Sequence, residues 1–471
     1  MNNSSGPSSI QLIIPLVMLL ALILGLSYMI PGLTATQTLA IGGGIAVFII
    51  CLASTEAALY ILIFSMLLSP EFIVGTTEGA SLGRGVTLRM DDFIILLIGL
   101  GWLAKMAVNK ELGVFLRTPI NKPIAYYLLA CLISTLLGSL FLKVDLKTGF
   151  FFVLKYFEYV LIYFMAANHL KSKGQARNYV WALLITCVIV SVVGMLQIPE
   201  SGRVTAPFEG EVGEPNTLGG YLVFMLSITA GLLLTTTSLG LRLIYGSMAF
   251  LFIVPLLFTQ SRTSYLALIL AGMAFLWLSE KRLIVLIAFI FAGLLLPFVT
   301  PKVVTERLSF TFTQREQRGQ IKVGGATIDT STAARLHSWG GVTRDFKKHP
   351  VLGFGVTGYG FIDAEYFRVL IETGLIGLFM FLVLLSSIFR LAYRNLKEAT
   401  GSFDRGLSMG FLAGFIGLLV HAVGANTFII VRIMEPFWFV LAIVIMLPEL
   451  ESGTPEGSGA ESIAHGKKRI R

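Results

Sequence analysis

About fourteen stretches of this chain, each close to 20 residues and nearly all apolar, are long enough to cross a bilayer. They fall near residues 10–30, 33–53, 55–74, 91–109, 122–142, 149–169, 178–197, 215–238, 243–260, 263–280, 283–300, 363–390, 406–427 and 430–449. Their hydrophobicity is continuous rather than alternating. In lipid that leaves helices, because a spanning backbone must satisfy its own polar groups. Composition agrees. Charged residues make up 13% of the chain, against about 25% in a soluble domain. The expected fold is all-α, a polytopic transmembrane helix bundle of about 12–14 helices with one long extracytoplasmic helical loop. The polar start MNNSSGPSSI has no basic segment and no cleavage site, so the first run reads as a retained helix.

The basic loops orient the bundle. Lys105, Lys110, Arg117 and Lys122 share one loop, and Lys171, Lys173 and Arg177 another. Lys281 with Arg282, and Arg390, Arg394, Lys397 and Arg405, make two more, and the tail ends KKRIR. With both termini inside, all of these are cytoplasmic and the number of spans is even. The net charge of +9 lies largely in these loops and the tail. It sets topology and implies no nucleic-acid partner. Cys51, Cys131 and Cys187 sit inside apolar runs and read as core residues. The expected organisation is 1–300 transmembrane helices with short loops, 301–362 an extracytoplasmic loop, 363–449 C-terminal transmembrane helices, and 450–471 a disordered cytoplasmic tail. Within the loop, the stretch from about Ala333 to Lys347 reads as helix. Segments 75–90, 198–214 and the Gln260–Arg262 turn also fall outside.

On that outer side stand several arginines against the usual charge bias, chief among them Arg203, Arg262 and Arg335. Cations there suit an anion, and a membrane-embedded anion is most simply a lipid-linked phosphate. Each has a plainer reading. Arg203 can pair with Glu209, Glu211 or Glu214, and Arg262 can reach lipid headgroups. Yet Gln260, Ser261, Thr263 and Ser264 surround Arg262 with donors suited to an oxyanion, which arginine grips bidentately. Downstream lies VLGFGVTGYGF, whose glycines allow close approach to a ligand or a tight turn back to the membrane. Asp363 and Glu365 then open a membrane helix, as caps or as a general base. Glu372 lies two turns deeper on the same face and needs a partner or a cavity. Lys155 and Glu158 are spaced as a structural ion pair. Arg432 and Glu435 can join the site or cap the last helix, and His337, His349 and His421 look isolated. No metal or cofactor motif is present.

The order SRTSYLALIL, an outer loop with Arg then Trp, HPVLGFG, and a polar pair before YFRVLIETGLIG resembles the O-antigen ligase/O-antigen polymerase superfamily over about residues 200–380. The resemblance implies a bacterial inner-membrane glycosyltransferase using undecaprenyl-diphosphate-linked glycans on the periplasmic side. It also implies that arginines bind the diphosphate. Arg203 matches the arginine before a Pro-Asn helix start, and Arg262 matches the Ser-Arg motif. The ligases carry a His-Asn pair nine residues before the Glu of the ETGLIG-like segment. Here that position is Asp363, followed by Ala364. An aspartate at this place looks like the polymerases of exopolysaccharide and capsule pathways.

The expected function is therefore periplasmic-face polymerisation of undecaprenyl-diphosphate-linked repeat units of an exopolysaccharide, capsule or O-antigen. Arg203, Arg262 and Arg335 neutralise the diphosphate, and Asp363 or Glu365 orients or deprotonates the attacking hydroxyl. No metal or other cofactor is called for, and partners extend to other polysaccharide assembly proteins. The alternatives are a ligase passing glycan to a lipid or protein acceptor, and a transporter or flippase of lipid-linked sugars. A transporter expects midplane charges and an inverted repeat, whereas the polar groups here gather on one face. Sidedness is directly measurable. A cysteine replacing Lys322 is expected to react with an impermeant reagent in intact cells, and labelling only after lysis would overturn the topology.

Overall fold

A computed structural model of the chain describes residues 35–76, 85–109, 118–141, 144–199, 203–209, 213–299, 321–323, 326–328 and 330–450. The expected first crossing, most of the 301–329 segment, Glu211 and the tail beyond Leu450 lie outside the described residues. The chain forms two compact units. One is Met1–Leu62 with Phe93–Phe115. It holds α1 (Ala35–Ala53), most of α2 (Thr55–Leu68) and most of α3 (Met90–Asn109).

The other unit, Ile63–Asp92 with Leu116–Arg471, carries everything that follows. Its helices are α4 (Asn121–Phe141), α5 (Leu146–His169), α6 (Lys173–Leu196), α7 (Pro215–Thr235), α8 (Leu239–Phe258), α9 (Arg262–Leu278), α10 (Arg282–Val299), α11 (Thr330–Asp345), α12 (Glu365–Glu398), α13 (Ser402–His421) and α14 (Val431–Met446). Two small antiparallel hairpins pair β1 (Glu71–Thr76) with β2 (Gly85–Arg89) and β3 (Ile321–Val323) with β4 (Ala326–Ile328). Among the described residues, eight helices are long and apolar enough to cross a membrane, and four apolar helices are shorter. The architecture is the expected polytopic helical bundle. One run is corrected. The 55–74 stretch is helical only to Leu68, and the chain turns extended at Glu71. Pro70 is the physical reason, since it disfavours helix in the residue before it.

Small residues set the tightest helix contact. A Cβ on Gly231 of α7 would fall 2.3 Å from the Gly406 carbonyl, and one on Gly410 of α13 2.7 Å from the Ile228 Cα. Such backbone approach is how helices associate where lipid offers no hydrophobic driving force. At one end of the bundle Lys173 pairs with Asp404 at 2.7 Å, and Arg405 with Glu280 at 3.2 Å.

The expected 363–390 span is longer and broken. Within α12, Gly374 has φ 67° and ψ −166°, so the helix stops and restarts. A break inside a membrane strands carbonyls and amides. The Gly-rich segment after α11 supplies their partners. Phe354 N donates to Ile371 O at 2.9 Å, and Gly355 N to Glu372 O at 2.8 Å. Leu375 N donates to Pro350 O at 2.9 Å, and Ile376 N to Val351 O at 3.2 Å. Gly353 and Gly355 have φ of 69° and 92°, and a Cβ on Gly353 would meet the Glu372 carbonyl at 2.5 Å. These glycines make their close approach to the protein's own backbone, as the chain turns back to the membrane helix.

Gly374→Ala puts a side chain in a conformation reserved for glycine, which costs about 1–3 kcal/mol. The Cβ would also stand 2.3 Å from the Val351 carbonyl. The expected result is a clearly lowered unfolding midpoint in detergent, whereas Gly360→Ala, where nothing lies within 4 Å of the added Cβ, leaves it unchanged.

Candidate active site

The site lies where α7, α9, α12 and α14 begin and α6, α8 and α13 end. The turn between α8 and α9 is its floor. Gln260 takes a left-handed φ of 51°, and Ser261 caps α9 by accepting from Ser264 N at 3.2 Å. Arg262 is thus the first residue of a helix whose N-terminal amides and dipole favour an anion. The segment carrying Arg203 docks on the same turn. Val204 N donates to Phe258 O at 3.0 Å, and Arg203 Nε to Thr259 O at 3.2 Å. Two arginines distant in sequence are so brought to one stretch of five residues of backbone, Phe258 to Arg262.

Beneath Arg262 runs a buried chain of hydroxyls and one imidazole. Ser261 Oγ donates to Asn216 Oδ1 at 2.6 Å, and Ser264 Oγ donates to Ser261 Oγ at 2.7 Å. His421 Nε2 lies 3.2 Å from Ser264 Oγ, and His421 Nδ1 lies 2.8 Å from Thr427 Oγ1. One proton assignment satisfies the chain. Thr427 donates to Nδ1, the ring donates from Nε2 to Ser264, and the serines pass the polarity on to Asn216. Asn216 Nδ2 in turn donates to Glu214 Oε1 at 3.1 Å. His421 is fully buried. Read from sequence it looked isolated. Its partner in α9 is 157 residues away, which no local pattern reveals.

Helix α11 delivers the third arginine. Arg335 Nη2 meets Asp363 Oδ2 at 2.9 Å, with about a fifth of each side chain exposed. The structure therefore brings Arg335 and Asp363 together, and Asp363 does not cap α12, whose N-cap is Ala364 with no side-chain bond. Asn426 Nδ2 fastens the segment before it, donating to Ile362 O at 2.7 Å. Trp339, one turn after Arg335, stacks on Phe367 with ring centroids 4.9 Å apart. At the foot of α11, Asp345 accepts from Tyr359 at 2.8 Å and pairs with Lys348 at 2.7 Å. Lys348 and the Tyr359 hydroxyl hold the Asp345 carboxyl below its ordinary range. Burial, then this bond, pushes Tyr359 up to about 12.

Glu365 is turned inward. It has no exposed surface, and its Oε2 accepts from Phe428 N at 2.9 Å. Arg368 stands between two acids, 4.0 Å from Glu365 Oε1 and 3.1 Å from Glu372 Oε2. It also donates to Tyr156 at 3.1 Å. The partner Glu372 needs is thus Arg368, together with Thr357 N of the Gly-rich loop at 3.0 Å. The i, i+3 and i, i+4 spacings were the signal for this cluster. Lys155 pairs with Glu158 at 3.1 Å as expected, and also with Asp92 at 2.5 Å. Among the described residues no group of three or more His, Cys, Asp or Glu is placed to hold a metal.

The family model described as O-antigen ligase matches residues 247–382. The matched stretch takes in Arg262, Arg335, Asp363, Glu365 and the Gly374 break. Arg203 lies before it and reaches it through the α8–α9 turn. The match supports the O-antigen ligase/polymerase superfamily, a multi-pass membrane protein, and glycosyl transfer with lipid-linked oligosaccharide substrates. A comparison with curated proteins finds no match.

Replacing His421 by Ala leaves the Ser264 and Thr427 hydroxyls without their ring partner in a buried place. Each lost hydrogen bond of this kind is worth about 0.5–1.5 kcal/mol. The unfolding midpoint in detergent is expected to fall, while the exposed His337→Ala does not move it.

Proposed function

We propose that the protein polymerises glycan repeat units carried on undecaprenyl diphosphate, at the periplasmic face of a bacterial inner membrane. The observation that carries this is the docking of Arg203 onto the turn that leads into Arg262. Two guanidinium groups and a helix N-terminus at one place suit a diphosphate. As the sugar's anomeric bond to the diphosphate breaks, negative charge grows on the leaving oxygen. The arginines stabilise it most in the transition state, which is where binding accelerates the step. They supply the positive charge that a metal supplies elsewhere.

A hydroxyl of a second lipid-linked unit attacks the anomeric carbon. Asp363 is the carboxylate at the mouth, positioned by Arg335. Ion-paired and partly exposed, it accepts a hydrogen bond from the incoming hydroxyl and takes its proton as the new bond forms. Glu365, buried against Phe428 N, holds the 422–428 turn in place from below. The aspartate at position 363 also favours polymerisation, since the ligases that the sequence resembles carry a histidine there. The second reading is transfer to a different lipid or protein acceptor. It is favoured by the description of the matching family, O-antigen ligase.

The test uses purified protein and lipid-linked oligosaccharide. A ladder of lengths on the carrier lipid supports polymerisation, and a single transfer to another acceptor supports ligation. Arg262→Ala and Arg203→Ala are each expected to lower the rate by at least roughly tenfold, from a lost charged hydrogen bond worth about 1.5–3 kcal/mol. Arg→Lys recovers only part, because an ammonium cannot grip two oxygens at once. Asp363→Asn keeps the shape and loses the proton acceptor. Full activity in that variant would remove Asp363 from the chemistry.

A further inference from the structure

We propose that Gln197 and Arg432 are positioning residues that clamp the loop bearing Arg203 onto the α8–α9 turn. The proposal rests on reading that turn as the diphosphate site. Residues 203–209 contain no helix or strand, so nothing periodic fixes where Arg203 points. Two side chains from elsewhere do. Gln197, at the C-cap of α6, reads both backbone groups of Thr205. Thr205 N donates to Gln197 Oε1 at 3.1 Å, and Gln197 Nε2 donates to Thr205 O at 3.2 Å. A side-chain amide used this way imitates a neighbouring strand.

Arg432 holds the other end. Phe208 takes a left-handed φ of 60°, and its carbonyl accepts from Arg432 Nη2 at 3.2 Å. The same guanidinium donates to Leu67 O at 2.7 Å and to Ser69 O at 3.3 Å. Those carbonyls are themselves fixed. Ser69 Oγ donates to Asp91 Oδ1 at 2.9 Å, and Arg89 pairs with Asp91 at 2.7 Å. Arg432 is only 1% exposed. A planar fork can address three carbonyls from two segments at once, which a lysine cannot. Arg203 stands two residues before the first anchor and meets Thr259 O. With either anchor released, the loop keeps its arginine but loses the support that holds the arginine on the α8–α9 turn.

The test measures loop placement and function separately, on the full-length protein in nanodiscs. Hydrogen–deuterium exchange is read over 203–209 in Gln197→Ala and Arg432→Lys. Both variants are expected to speed exchange there and leave α7 and α13 unchanged. Each is also expected to lower kcat for the lipid-linked donor by roughly tenfold with KM little changed, the loss of a contact made mainly in the transition state. In an Arg203→Ala background neither adds a further fall, because both act through that residue. Gln197→Ala stands at a helix end and decides the matter alone where Arg432→Lys fails to fold. Unchanged exchange over 203–209 in Gln197→Ala overturns the clamp. So does a kcat effect that adds in full to that of Arg203→Ala. If exchange rises but Arg203→Ala itself leaves kcat at the wild-type value, the clamp stands as a loop anchor and the diphosphate reading falls.

Discussion

The whole site depends on a rule of the bilayer: a backbone group without a partner is too costly to leave there. Gly374 breaks α12 where that rule applies. The break is stable because the chain just upstream returns and bonds to both sides of it, at Ile371, Glu372, Leu375 and Ile376. That return fixes α11, since the segment follows directly from it, and hence Arg335. It fixes the upper piece of α12, hence Asp363 and Glu365. Ser134 of α4 adds a bond to the Glu372 carbonyl at 2.7 Å, tying the break to a continuous spanning helix.

The sequence made part of this legible. Continuous apolar runs announce helices, and basic residues announce which loops share a side. Lys173 with Asp404 and Arg405 with Glu280 meet at one end as that logic expects. Arg203 and Arg262 stood out because charge at the other end needs a reason. The break at Gly374 was hidden, because ETGLIG reads as an ordinary apolar run and one glycine does not reveal its own φ. His421 was hidden for another reason, since its partners Ser264 and Thr427 come from α9 and a 3-10 turn. Arg368 was readable in principle, standing at helical spacing between Glu365 and Glu372.

Buried charge here follows one pattern. Lys155 lies between Asp92 and Glu158, Arg368 between Glu365 and Glu372, and Arg89 against Asp91. An isolated ion in this setting would cost several kcal/mol, and pairing with additional hydrogen bonds offsets most of that. Arg335, Arg203 and Arg262 differ in place. They stand half-buried or exposed, at the bundle end where α9 begins and α8 ends, and not within its core.

Surface loops usually accept insertions, because their length costs little. The segment from Pro350 to Gly355 does not have that freedom. Its two ends bond in register to opposite sides of the α12 break, and a Cβ on Gly358 would fall 2.2 Å from the Phe354 carbonyl. One added residue would shift every one of those bonds by a full step. The loop is therefore a spacer of fixed length. It measures the distance between the end of α11 and the start of α12, and with it the gap that Arg335 spans to reach Asp363.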